Sequence, residues 1–222
     1  MLHTVMFLPA FIGIAMAARR TLVLAGIIGS FNPPGMAKGS PPFDAEFGTH
    51  PFLTLIHILP GALFMILGPL QFMPGIRTRH PHLHRLGGKI YIASGYIVGI
   101  SALIMSFVLS PIGGIDQAAA TILFSLLFLL SLSKAWYHKK ADNILHHETG
   151  LHREWMIRAF SIGLAIGTIR PIMVLFFAFS GLPPQAFFGA AFWIGFTLHL
   201  LAAEAWINFT RPSFWREQHP SF

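Results

Sequence analysis

What constrains this chain most is a succession of long apolar runs. Five are clear: Pro51–Met73, Leu86–Leu109, Gln117–Tyr137, Glu154–Ser180 and Ala186–Phe209. Each has about 20–27 residues, which at ~1.5 Å per residue is enough to cross a hydrocarbon core of ~30 Å. Breakers separate them: Pro74-Gly75, Pro111-Ile-Gly-Gly114 and Leu182-Pro-Pro184. Gly and Pro inside a run, as at Pro60-Gly61 and Gly68-Pro69, are tolerated in packed membrane helices and mark kinks.

The amino-terminal region, residues 1–31, reads as a sixth membrane helix. Arg19 and Arg20 either snorkel to headgroups along one tilted helix or mark a break, with the remainder along the interface. A secretory signal would carry its positive charge before the apolar run. Here the charge follows it, and an anchor is the better reading despite the small-residue Ala15-Met-Ala17. Residues 32–50 form an outer loop rich in Gly and Pro, residues 51–209 a five-helix core, and residues 210–222 a cytoplasmic tail.

Lys and Arg set the orientation. Arg77, Arg79, Arg85 and Lys89 follow the second span, Lys134, Lys139, Lys140 and Arg153 follow the fourth, and Arg211 and Arg216 lie in the tail. With alternating spans these share one face, cytoplasmic by the positive-inside rule. Lys38, Asp44, Glu46 and Asp116 fall on the other. The expected fold is an all-α integral membrane bundle of about six transmembrane helices with both termini cytoplasmic, multi-pass in the cell inner (cytoplasmic) membrane. Composition agrees: 54% of residues are hydrophobic, too many for the polar surface a soluble domain of 222 residues needs. The excess of 15 Lys+Arg over 8 Asp+Glu lies beside apolar runs, so the counter-charge is anionic lipid headgroups rather than nucleic acid. With no Cys, disulfides, thiolate metal sites and cysteine nucleophiles are excluded.

Ionisable residues within spans are expensive and mark sites. His57 and Arg170 sit at similar depth in the outer half of two antiparallel helices. Arg158 and Glu204, near the inner ends of the last two helices, are placed to form a structural ion pair, and Gln71 to join their polar layer. His199, alone in mid-helix, reads as a packing residue. Seven of twelve histidines (His80, His82, His84, His138, His146, His147, His152) fall in two inner turns. His84 and His152 each precede an arginine and open an apolar helix, so they stand at one depth. Two such imidazoles suit a bis-histidine b-type haem or a divalent metal, with Arg85 and Arg153 neutralising haem propionates, a quinone or a lipid headgroup. The alternative is ordinary basic loops in which His is common. No HExxH, phosphate-binding Gly loop, GxSxG or paired intramembrane aspartates occur. No helix carries two widely spaced His, which disfavours a di-haem wire.

In order along the chain come His57-Ile-x-x-Gly61, Leu67-Gly-Pro-Leu-Gln-Phe72, Arg77-x-Arg-x-Pro-x-Leu-His-Arg85-x-Gly-Gly-Lys-x-Tyr91, His152-Arg-x-Trp-Met-Ile-Arg158 and Thr168-Ile-Arg170. This succession resembles the predicted membrane protein family of domain of unknown function 2306 over about residues 50–209. The resemblance implies a multi-span membrane protein and no particular mechanism. Its pattern has Gly-Arg where this chain has Gly88-Lys89, replacing a bidentate anion contact by a point charge.

Three functional classes follow. The first is a redox protein holding b-type haem or quinone near the cytoplasmic face through His84 and His152, with Arg85, Arg153 and Arg158 for charge and His57 with Arg170 as a separate outer site. The second is a cofactor-free transporter, or a metal or pH sensor, using the His-rich rim. The third is a scaffold subunit docking partner subunits of a larger membrane complex through aromatics such as Phe214-Trp215. For the topology, reporter fusions at either terminus should fluoresce as cytoplasmic green fluorescent protein and stay inactive as alkaline phosphatase. The reverse pattern at either end would overturn the orientation.

Overall fold

A computed structural model of the chain describes residues 2–30, 45–145 and 149–211. All regular structure among them is helical: α1 (Leu2–Leu24), α2 (Ala45–Thr49), α3 (Pro51–Gln71), α4 (Pro74–Arg79), α5 (Pro81–Val108), α6 (Gly114–Leu145), α7 (Thr149–Phe179) and α8 (Pro184–Thr210). Six of these, all but α2 and α4, are long and apolar enough to cross a membrane. His146, His147, Lys38, Asp44, Arg216 and Phe214-Trp215 lie outside the described residues.

Helix boundaries differ from expectation where proline was taken for a stop. Pro74 and Pro81 occupy the first turns of α4 and α5. There the missing N–H would have had no intrahelical partner, and the fixed φ suits a helix start. The run His82–Arg85 is therefore the first turn of a 28-residue helix and not a loop before Leu86. The segment Pro74–Arg79 is helical too, as is the end of the expected outer loop, α2. Helix α1 continues unbroken through Arg19-Arg20 and stops where Gly26 adopts φ 69°, with its N–H bonded to the Val23 carbonyl. Arg20 does not snorkel. It is 5% exposed, with its guanidinium 3.7 Å from the centre of the Phe47 ring of α2.

The helices close into a ring in which α1 packs on α3, α3 on α5, α5 on α6, α6 on α7 and α7 on α1, while α8 packs on α6 and α7. In lipid no hydrophobic force draws helices together, so the contacts depend on close packing, and glycines make that possible. A Cβ at Gly167 of α7 would overlap the Pro9 carbonyl of α1, and one at Gly163 would overlap the Phe64 ring of α3. Gly68 of α3 receives the Phe160 ring, and Gly95 of α5 receives Leu132 and Phe64. In mid-ring Phe64 stacks on Tyr91 at 4.2 Å and meets Phe128 edge-on at 5.3 Å. Phe160 completes this aromatic plug, 6.4 Å from Tyr91. Tyr91, fully buried, fills the centre.

The Gly167 contact is with backbone and cannot be relieved by a rotamer change. Gly167→Ala should lower stability by about 1–3 kcal/mol, seen as a fall in thermal midpoint in detergent. Gly48→Ala, where a Cβ meets nothing within 4 Å, should leave the midpoint unchanged within error. Equal midpoints for the two would refute the tight α1–α7 seam.

Candidate functional site

The ring does not fill itself. Between the aromatic plug and the end that carries α2 lies a cavity of about 280 Å³, walled by residues of all six long helices and of α2. Its floor includes Phe64 and Phe128, and its walls are mainly Met, Ile, Val, Ala and Phe. Four ionisable side chains line it: Arg20 of α1, Glu46 of α2, His57 of α3 and Arg170 of α7. Glu46 lies at its α2 end, accepting from the Ser110 N–H at 3.4 Å. Thr54, fully buried, ties α2 down by donating to the Phe47 carbonyl at 2.9 Å. His57 and Arg170, paired in depth by the sequence, thus face one space. Arg20 was missed because its partner surface, Phe47, is remote in sequence.

Hydrogen bonds fix what each group offers this space. The single proton of Ser101 goes to the carbonyls of Ile97 at 2.6 Å and Val98 at 3.1 Å. Its oxygen, 3.0 Å from His57 Nδ1, must therefore accept from that nitrogen. The proton on Nδ1 leaves the His57 Nε2 lone pair as an acceptor. Ser106 and Thr121 donate to the carbonyls of Ala102 and Gln117, each at 2.8 Å, which leaves their oxygens as acceptors too. Donors come from the arginines, Arg170 also reaching the Met173 sulfur at 3.6 Å.

The basic end is built differently. His152 Nδ1 lies 2.7 Å from the Ala135 carbonyl of α6, to which it donates. Gln71 binds here and not in the Arg158–Glu204 layer. With its amide oriented to satisfy both ends, its nitrogen donates to the His84 carbonyl at 3.1 Å and to His84 Nδ1 at 3.2 Å, while its oxygen accepts from Gly88 N–H at 3.3 Å. With that orientation His84 carries its ring proton on Nε2. No group of three or more His, Asp or Glu converges as a metal site among the described residues. Arg153 turns away to α8, donating to Thr210 Oγ1 at 3.0 Å. His199 bonds Thr168 at 2.7 Å between α7 and α8.

The family model for predicted membrane proteins named DUF2306 matches residues 54–207. The chain belongs to this family. No curated protein and no solved structure matches it. The DUF2306 match spans α3 to α8 and so includes His57 and Arg170 of the cavity, while Arg20 and α2 lie before it.

In this DUF2306 protein the basic ends of α7 and α8 are fastened by an alternating chain of charges. Arg158 donates to both oxygens of Glu204, at 2.6 and 2.9 Å, and Arg211 to both of Glu154, at 2.7 and 2.8 Å. Arg158 and Glu154 approach within 3.8 Å and link the two pairs. Arg158 also lies over the Trp155 ring at 4.6 Å, and Ile157, Ala203 and Ile207 pack as a small core beside it. The Glu154 bond raises the Arg211 pKa further above its ordinary value. Breaking such a pair strands the partner's charge. Glu204→Gln should cost about 1.5–3 kcal/mol, and the double variant Arg158→Gln/Glu204→Gln less than the sum of the singles. Strict additivity in a double-mutant cycle would show that the pair carries no coupling.

Proposed function

We propose that this membrane protein binds a quinone in the cavity between the aromatic plug and α2. The carrying observation is that one apolar space inside the membrane span is lined by His57, Arg20 and Arg170 from three helices, with Glu46 of α2 at its end. Ligand sites are mostly apolar with a few convergent polar groups, and a volume near 300 Å³ suits a single substituted ring. The polar groups match the two states of a quinone. Its oxidised form carries carbonyl oxygens, which the guanidinium groups can bond. Its reduced form carries O–H groups, which need an acceptor, and His57 Nε2 is one. Burial in a low-dielectric wall strengthens each such bond over its value in water.

This reading keeps the redox class that the histidines pointed to, and moves the ligand from the His84–His152 end to the opposite half of the ring.

Thermal unfolding of the detergent-purified protein with and without decylubiquinone checks it. At a concentration 100-fold above Kd the bound form gains about 2.7 kcal/mol, a rise of several degrees. Arg170→Gln and His57→Ala should each remove most of that rise. Ala102→Phe, which fills the cavity without touching a polar group, should abolish it while keeping the protein folded. An undiminished rise in Ala102→Phe, or no rise in the unaltered protein, would refute the assignment.

A further inference from the structure

The contacts of the aromatic plug set a common depth on four helices. Phe64 of α3 packs into Gly163 of α7 and Gly95 of α5, and meets Phe128 of α6 edge-on. Seven residues from there toward α2 make two turns of each helix, ~10 Å, and return to the same face. The residues reached are His57 on α3, Ala102 on α5, Thr121 on α6 and Arg170 on α7, and all four line the cavity. The bond between His57 and Ser101, the neighbour of Ala102, fits this register. His57 and Arg170 therefore belong to one layer, about two turns from the plug. Arg20, with its guanidinium over Phe47, stands on the α2 side of the cavity.

The lining differs on the two sides of this layer. Toward the plug stand Gly61, Ala62, Val98, Gly99 and Ile166, with Ser125 the one polar side chain there among the described residues. Toward α2 the wall carries Ser106, Gln117 and Glu46. The Gln117 oxygen accepts from the Gly113 N–H at 2.8 Å, so its amide is left with N–H groups to offer. The lower part is a well opened by small residues. A Cβ on Gly61 would meet only Val98 Cγ2 within 4 Å, at 3.7 Å.

A quinone carries oxygens at opposite edges of its ring, and each needs a polar partner when buried. A ring in the well would leave one oxygen among apolar side chains. A ring between the layer and α2 leaves neither, and the well then receives the ring's side chain. At the ~1.5 Å of a carbon–carbon bond, ~10 Å holds about eight carbons, or two isoprene units. Phe64, Tyr91, Phe128 and Phe160 close the space beyond. We propose that the cavity selects a short-chain quinone, its head toward α2 and its chain lying in the well against the plug. The proposal rests on the quinone reading above. In a micelle or bilayer the chain already lies in an apolar phase, so a longer one gains no hydrophobic energy on binding. It must instead force the plug or the walls apart.

Ubiquinones with no side chain and with one, two and four isoprene units test it on the full chain in detergent. Their affinities are read from ligand-dependent thermal midpoints. The two-unit quinone should bind, and the four-unit one about 30-fold more weakly. Gly61→Leu fills the well without reaching the polar layer. It should weaken the two-unit quinone about tenfold and the chainless ring by less than about twofold. Retained binding of the chainless ring also shows that the variant folds. Equal affinity for two and four units in the unaltered protein would mean that the chain leaves sideways into lipid. That result would overturn the proposal and leave the quinone site standing. Undiminished two-unit binding by a folded Gly61→Leu protein would overturn it likewise. Failure of every quinone to bind would refute the quinone reading and this proposal together.

Discussion

Everything in this molecule depends on how closely its helices can approach one another inside a bilayer. Water does not drive apolar helices together there, so association rests on shape, dispersion and a few polar links. The seams answer that with glycine. Gly167 meets the Pro9 carbonyl, Gly163 meets Phe64, and Gly68 meets Phe160. Each places a backbone or an aromatic ring where any other residue would put a Cβ. Five helices can then close into a ring, and α8 packs on α6 and α7.

Closing the ring has unequal consequences along its axis. Around Tyr91 the large rings of Phe64, Phe128 and Phe160 fill it solidly. Toward α2 the helices carry smaller side chains, Gly61, Ala62, Gly99 and Ala102, and a cavity remains. Polar groups sort the same way. The far half holds a few ionisable residues facing an apolar space. The basic half holds many, among them the acid-neutralised clasp on α7 and α8.

Much of this was legible in the sequence, because the signals are local. Span length and breaker position indicated six crossings and the succession of spaced motifs indicated the family, and these match the helices and the DUF2306 assignment. The Arg158–Glu204 register could be read from depth alone, since two helices joined by a short turn carry their charges at matching distances from it. What failed depended on tertiary neighbours. Pro74 looked like a break, yet a proline in a first turn starts a helix. Arg20 looked like a snorkelling interface residue, yet it is buried with its guanidinium over Phe47 of α2. Gln71 was assigned to the wrong polar layer, because its partners, His84 and Gly88 of α5, lie remote in sequence. The histidines were found by type and spacing, but their tautomers follow from Ser101, Gln71 and Ala135, residues that no spacing rule connects to them.

The central claim is that the polar-lined cavity between the plug and α2 takes up a quinone, and photolabelling tests it most directly. The full chain in lipid nanodiscs would be irradiated with an azido-substituted quinone, digested, and the modified peptides located by mass spectrometry. The account predicts label in the cavity segments of α3 around His57 and of α7 around Arg170, reduced by excess unlabelled quinone. Label concentrated around His84 and His152, or spread over lipid-facing residues and insensitive to competition, would contradict it.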